Sequence, residues 1–260
     1  MSYAHIIGYP LNRPRSVTLW KKFFKKNKIK CKMTAKEVRS KNLRLVLKEF
    51  KNDRDFVASA VTMPYKQKVT KYFDFGDKIS KFSNSINLIV KVNSRKIIGY
   101  NTDVLGAIET VKKLKKKNIM IFGLGGTGKA ILKVFSKIYR SSKFIVVSSR
   151  NHKEFSNKKN IKQKSSILDR DLIKIDLFIN CSPLGSNLKK EFLNKSPLSS
   201  KQILLLKKNV NIFDLIYKPL NTKLSKICKK HKRRYINGIK MNTFQADKAL
   251  SIIKKSVQFN

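Results

Sequence analysis

Two short stretches put opposite charges at the ends of apolar runs. "VTMPYK" brings Lys66 in after one such run, and "GYNTD" brings in Asp103 after another. Strand ends are where open α/β sheets hold ligands. A lysine and an aspartate that meet there form a polarised pair. The ammonium can give a proton to a carbonyl oxygen as hydride arrives, and the carboxylate can orient it. Spacing alone does not bring the two together, and a lysine taken at random from this chain is a solvated surface charge.

A second chemistry is written in "GLGGTG". Gly123, Gly125 and Gly128 have G-x-G-x-x-G spacing, with Gly126 as an extra glycine, and the motif follows an apolar strand and opens a helix. That context suits a pyrophosphate, because the backbone can approach closely and the helix N-terminus faces its charge. In an NAD site the next strand ends in Asp or Glu, roughly 20 residues on, to hold the ribose 2′-hydroxyl. Here it ends "VVSSRNHK", with Ser148, Ser149, Arg150 and Lys153 and no carboxylate. A guanidinium suits a 2′-phosphate, so NADP is expected over NAD. The competing reading makes Arg150 one more surface charge.

The elements that must position these groups alternate along the chain. "AHIIGYP" and "FVASAVTMP" read as strands, and "SINLIVKVNSRKIIGYN" as two strands joined by the turn "NSRK". "SVTLWKKFFKKNK" and "KEVRSKNLRLVLKEFKN" have helical spacing. A fresh series begins with the helix "VLGAIETVKKLKKK". It continues through the strands "NIMIF", "KFIVVSSR", "IDLFINCSP" and "NVNIFDLIY", the rhythm of a nucleotide-binding sheet. "NTFQADKALSIIKKSV" is helical, and "SNLKKEFLNKSPLSSKQ" reads as a loop. The expected class is α/β.

Composition bounds the partners. In 260 residues, 60 Lys and Arg face 15 Asp and Glu, a net charge of +45, while the hydrophobic fraction of 41% is ordinary for a globular chain. The basic residues are mostly Lys and dispersed, as in "WKKFFKKNKIKCK" and "CKKHKRR", whereas nucleic-acid binders concentrate charge and favour Arg. A coat of solvated lysines is expected, with no specific nucleic-acid partner and only salt-sensitive sticking to polyanions. Cys31, Cys181 and Cys228 form no C-x-x-C pair, and His5, His152 and His231 are scattered, so neither disulfide nor metal is expected. No run reaches the roughly 18 apolar residues of a membrane span, so a soluble cytoplasmic protein is expected.

In chain order, "IIGYPL", "VTMPYK", "SINLIV", "GYNTD", "GLGGTGKA", "NCSPLG", "DLIYKPLNT" and "NGIKMNTFQA" resemble the successive motifs of the shikimate dehydrogenase family, over nearly the whole chain. The resemblance implies an N-terminal α/β substrate-binding domain, residues 1–104 completed by the helix 239–260. It also implies a Rossmann-type doubly wound NADP-binding domain at 105–238, with the active site in the cleft between them. The reaction implied is the reversible NADPH-dependent reduction of 3-dehydroshikimate to shikimate, by a monomer or homodimer, in chorismate and aromatic amino acid biosynthesis. Carried over by position, Lys66 is the acid/base group and Asp103 its partner. Thr62, Asn87, Asn101 and Gln245 bind ring hydroxyls or the pair. Ser182, Tyr217 and Gly238 flank the nicotinamide and the closing cleft, with Tyr217 also counted with the substrate. Asn180 falls in its motif as a structural residue.

Three departures stand out. The family binds the substrate carboxylate with two serines. In "LNRPRSVTLW" the second matches Ser16, but the first is Pro14, which has no hydroxyl. Arg13 and Arg15 are candidate substitutes, since a guanidinium pairs bidentately with a carboxylate, and Thr18 is another candidate hydroxyl; the bland alternative leaves the arginines in solvent. Ala60 and Ser149 each replace a family Asn. The first departure leaves quinate or a related ring carboxylate open as substrate. A polyanion-binding protein on a degenerate dehydrogenase scaffold is the remote rival.

Overall fold

The computed structural model describes residues 1–11, 14–93 and 96–257, so Arg13 and the middle of the "NSRK" turn, Ser94 and Arg95, lie outside the described residues. The chain divides into two compact units, Met1–Leu105 with Thr243–Asn260, and Gly106–Asn242. The first contains β1 (Tyr3–Gly8), α1 (Arg15–Lys26), β2 (Lys32–Glu37), α2 (Leu43–Asn52), β3 (Phe56–Val61), β4 (Asp74–Phe75), α3 (Lys78–Ser83), β5 (Leu88–Lys91) and β6 (Ile97–Tyr100). The chain leaves it inside α4 (Thr102–Val111). The second contains β7 (Asn118–Phe122), α5 (Gly126–Ile138), β8 (Lys143–Val147), β9 (Ile161–Lys164), α6 (Asp169–Leu172), β10 (Leu177–Asn180), α7 (Lys190–Leu193), α8 (Ser200–Leu205), β11 (Asn211–Asp214), α9 (Lys223–Lys230) and β12 (Arg234–Ile236). The chain returns inside α10 (Ile239–Ser256).

The first sheet is six-stranded in the order β2-β1-β3-β5-β6-β4. Its β1–β2 and β1–β3 pairs are parallel, and β3–β5 and β5–β6 are antiparallel. Both faces are covered. Leu43, Leu47 and Phe50 of α2 pack with Ile7 and Phe56 on one. Trp20 and Phe24 of α1, with Ala249, Leu250 and Ile253 of α10, pack with Ala4, Ile6 and Leu88 on the other. Phe50 and Phe56 stack with ring centroids 4.1 Å apart. The register shifts between Tyr3 and Ala4, so the consecutive residues Val57 and Ala58 belong to the same core.

The second sheet runs β12-β11-β10-β7-β8-β9, and its paired strands are all parallel. Chain order reverses between β7 and β10, which creates the crevice where doubly wound sheets bind nucleotides. The ends of β7 and β10 beside that crevice carry the glycine loop and the "NCSP" turn.

Some expectations need correction. The helix read from Lys36 starts at Leu43, because Lys36 and Glu37 complete β2 and Val38 N–H extends the ladder to the Gly8 carbonyl at 3.0 Å. The loop read over 186–202 contains α7 and the start of α8. A capping box opens α8: Ser199 Oγ accepts from Gln202 N–H at 3.2 Å, and Gln202 Oε1 accepts from Ser199 N–H at 3.0 Å. The helix read through "KKLKKK" ends at Val111, where Lys116 Nζ turns back to donate to the Val111, Lys112 and Leu114 carbonyls.

Candidate active site

Lys66 is held by its main chain before its side chain does anything. After β3 the chain turns tightly, with Tyr65 N–H bonded to the Thr62 carbonyl at 3.0 Å. Tyr65 is fully buried, and its hydroxyl donates to the Val38 carbonyl. The Lys66 carbonyl accepts from Ile86 N–H at 2.8 Å. Asn87 then ties the neighbouring strand ends together: its carbonyl accepts from Val61 N–H at 2.7 Å, and its N–H donates to the Tyr100 carbonyl at 2.9 Å. The Lys66 turn and the start of α4 are thereby brought to one end of the sheet. Lys66 Nζ donates to Asp103 Oδ2 at 2.5 Å, with the two side chains 20% and 18% exposed. Asp103 lies in the first turn of α4, where the helix dipole favours a negative charge.

Next to this pair lies a buried polar relay. Thr102 N–H donates to Asn87 Oδ1 at 2.7 Å, and Asn87 Nδ2 donates to Thr102 Oγ1 at 3.0 Å. Thr102 Oγ1 reaches Gln245 Oε1 at 3.2 Å, and Asn87 Nδ2 reaches the same oxygen at 3.5 Å. Asn87 is 7% exposed and Thr102 fully buried, whereas Gln245 is half-buried on α10. Sequence pattern does not single out Thr102; only its place inside "GYNTD" hints at it. Asn101 faces elsewhere. Its Nδ2 donates to Ser83 Oγ and the Ser85 carbonyl, and its Oδ1 caps α4 by accepting from Val104 N–H at 3.1 Å.

In the second unit the glycines have distinct duties. Gly123 has φ +92°, and a Cβ on it would lie 2.8 Å from Ser182 N, so the loops after β7 and β10 touch at the crevice. A Cβ on Gly128 would lie 2.2 Å from the Gly123 carbonyl oxygen, which forces helix and turn together. Gly125 and Gly126 have nothing within 4 Å of such a carbon. They leave open space at the N-terminus of a 13-residue helix with no acid in its first turn. That cradle fits a dinucleotide pyrophosphate. Ser149, Arg150 and Lys153 follow β8; Arg150 and Lys153 are exposed and Ser149 lies beside them on the same loop. The nearby carboxylate of Glu154 is turned to α5 by Lys129 at 3.3 Å and Lys133 at 2.8 Å. Ser182 N–H and Oγ both donate to Asn180 Oδ1, at 3.0 and 2.7 Å.

A relative from Methanocaldococcus jannaschii, named shikimate dehydrogenase (NADP(+)), is 32% identical over 95% of this chain and 89% of its own. The chain belongs to the shikimate dehydrogenase family. The family described as the shikimate dehydrogenase substrate binding domain matches residues 6–89. A shikimate dehydrogenase (NADP(+)) of Clostridium botulinum is 30% identical over 95% of this chain and 94% of its own. A shikimate dehydrogenase solved with NADP+ is 29% identical, with a TM-score of 0.82 over 100% of this chain and 91% of that one. The Aquifex aeolicus shikimate dehydrogenase, 22% identical, shares the fold with a TM-score of 0.83 over 99% and 94%.

The remaining shikimate dehydrogenase positions fall as follows. Asn180 Nδ2 donates to Asp214 Oδ1 at 2.9 Å; Asp214 is fully buried and also accepts from Ile216 N–H, Thr222 Oγ1 and Tyr235 Oη. Burial pushes its carboxyl above the ordinary carboxylate range, against the opposing pull of those hydrogen bonds. This hub joins Asn180 of the "NCSPLG" motif to both ends of "DLIYKPLNT", and it holds the Ser182 turn on one side and the strand leading to Tyr217 on the other. Tyr217 is half-buried. Gly238 N–H donates to the Ile216 carbonyl at 3.0 Å, and a Cβ there would lie 2.1 Å from the Leu215 oxygen. Thr62 is half-buried, with N–H bonded to the Ile7 carbonyl. Ser16 and Arg15 are half-buried in the first turn of α1 behind Pro14, which provides no side-chain cap, while Thr18 is exposed. Among the described residues, no group of three or more His, Cys, Asp or Glu is placed to hold a metal, and no helix is long and apolar enough to cross a membrane.

Proposed function

We propose that this chain is an NADP-dependent shikimate dehydrogenase, reducing 3-dehydroshikimate reversibly to shikimate. The observation that carries this is the Lys66–Asp103 pair at 2.5 Å, one residue from the Asn87–Thr102–Gln245 relay. NADPH, when bound, supplies the hydride. Lys66 gives its proton to the oxygen of the ketone being reduced, and Asp103 holds the ammonium in line and balances its charge. In the reverse direction Lys66 takes the hydroxyl proton. Asn87, Gln245, Thr62 and Tyr217 contact the ring hydroxyls, joined by Thr102. Asn101 enters as a positioning residue that caps the helix carrying Asp103. The substrate carboxylate goes to the first turn of α1, to Ser16 with Arg15 in place of the missing serine.

For the cofactor, Gly123, Gly125, Gly126 and Gly128 receive the pyrophosphate, and Ser182 and Gly238 flank the nicotinamide. Ser149, Arg150 and Lys153 take the 2′-phosphate. The NADP+ complex of the 29% identical relative supports that cofactor. The same family membership supports a cytoplasmic enzyme of chorismate and aromatic amino acid biosynthesis, monomeric or homodimeric, with no specific nucleic-acid partner.

Steady-state rates with shikimate and with quinate, each with NADP+ and NAD+, test this. The highest kcat/KM is expected for shikimate with NADP+. Absence of shikimate turnover by the pure protein would overturn it. Pro14 favours quinate as the second reading, and a higher kcat/KM for quinate would establish that one instead.

A further inference from the structure

The loop that presents Arg150 is stapled shut from an adjacent strand. Val146 of β8 pairs in register with Gln163 of β9, and Ser148 N–H extends the ladder to the Lys164 carbonyl at 3.0 Å. Gln163 then grips the main chain of a single residue. Its Oε1 accepts from His152 N–H at 2.9 Å, and its Nε2 donates to the His152 carbonyl at 3.1 Å. Only one orientation of the amide satisfies both bonds, because the opposite one would set donor against donor and acceptor against acceptor. Ser148 Oγ closes the base of the loop, 3.2 Å from His152 Nε2, and Arg150 N–H reaches that same hydroxyl at 3.4 Å. Arg150 therefore sits at the apex of a short loop whose far end is fixed by Gln163.

We propose that Gln163 is a positioning residue for cofactor choice: by clamping His152 it holds Arg150 ready for the 2′-phosphate of NADP. This rests on assigning the 2′-phosphate to Arg150. An exposed arginine on a free loop would lose conformational freedom on binding a phosphate; on a clamped loop that cost is met during folding. Gln163 does not touch the ligand in this scheme, since its oxygen and one N–H are engaged by His152. Its effect is confined to ligands bearing the 2′-phosphate.

The test is a double-mutant cycle read by titration calorimetry with NADP+ and NAD+ on the full chain. Gln163→Leu should weaken NADP+ about tenfold, the loss of two neutral hydrogen bonds. It should leave the NAD+ Kd within about twofold and kcat at saturating NADP+ unchanged. Arg150→Ala should weaken NADP+ by about 10–100-fold. Adding Gln163→Leu to Arg150→Ala should then change little. Gln163→Glu keeps the acceptor for His152 N–H and removes the donor, so it should also weaken NADP+ selectively. It decides the matter if the leucine variant does not fold. Equal losses for NADP+ and NAD+, or full additivity with Arg150→Ala, would overturn the proposal. So would normal NADP+ binding by Gln163→Leu when Arg150→Ala weakens it, an outcome that leaves the Arg150 assignment standing. If Arg150→Ala itself binds both cofactors normally, the 2′-phosphate assignment falls and the clamp's role with it.

Discussion

Lys66 is one cation among 60 lysines and arginines, and the carboxylate 2.5 Å from its Nζ sets it apart. Replacing it with Ala removes the proposed proton donor while leaving the main-chain bonds of Lys66 and the buried Tyr65 anchor. Lys66→Ala should lower kcat by about 10²-fold or more, with the NADP+ Kd unchanged. Stopped-flow and calorimetric measurements check the two halves, and wild-type turnover would remove Lys66 from the chemistry. The residues around it are unequally legible. Lys66 and Asp103 stand at the ends of apolar runs, so type and position together mark them. Thr102 and Gln163 carry no such mark. A threonine next to the aspartate and a glutamine in "IKQK" gain meaning only when folding brings Asn87 and Gln245 to one and the His152 main chain to the other.

At the scale of elements, the glycine turn and α5 separate two kinds of glycine. A methyl group on Gly128 meets a backbone oxygen at 2.2 Å, whereas one on Gly126 meets nothing within 4 Å. Gly128→Ala should therefore cost about 1–3 kcal/mol of folding stability, measured by denaturant unfolding. Gly126→Ala should unfold normally yet weaken NADP+ about tenfold, because the proposed function puts the pyrophosphate in that open space. Normal cofactor binding by Gly126→Ala would move the pyrophosphate elsewhere. The strands show where sequence pattern stops being informative. Every central strand of both sheets is legible from its apolar run. The unread strands are β2, β4, β9 and β12, and these are the four edges. An edge strand buries little and is protected from pairing with other chains by charge and shortness. "KMTAKE" and "IKQK" carry lysines, and β4 is two residues long. The features that make them good edges hide their periodicity.

For the whole molecule the dominant fact is a net charge of +45. With 15 acids for 60 bases, most cations have no carboxylate to pair with, and some act within the fold instead. Lys91 is 7% exposed and donates to the Lys51 and Asp53 carbonyls at the end of α2; Lys116 does the same at the end of α4. The excess of positive charge is mutually repulsive. Salt should thus stabilise the fold: raising NaCl from about 50 to 500 mM should lift Tm by roughly 2–4 °C, equivalent to ~1 kcal/mol. A Tm that falls over that range would show that the charges are locally balanced. The dispersal of these lysines is plain in the sequence. The inward turn of Lys91 and Lys116 is not, because helix ends cap themselves with whichever cation lies nearby in space.

Gln245 reaches Asn87 across 158 positions of chain, and Ala249, Leu250 and Ile253 cover the face of the first sheet that holds Ala4, Ile6 and Leu88. A ribosome delivers those residues only after the whole of Gly106–Asn242. At the usual pace of translation the first sheet therefore waits about 10–30 s with that apolar face uncovered, while the nucleotide-binding unit is made and can fold. The unit that begins first finishes last, and during synthesis its half-built face is the surface a chaperone would meet.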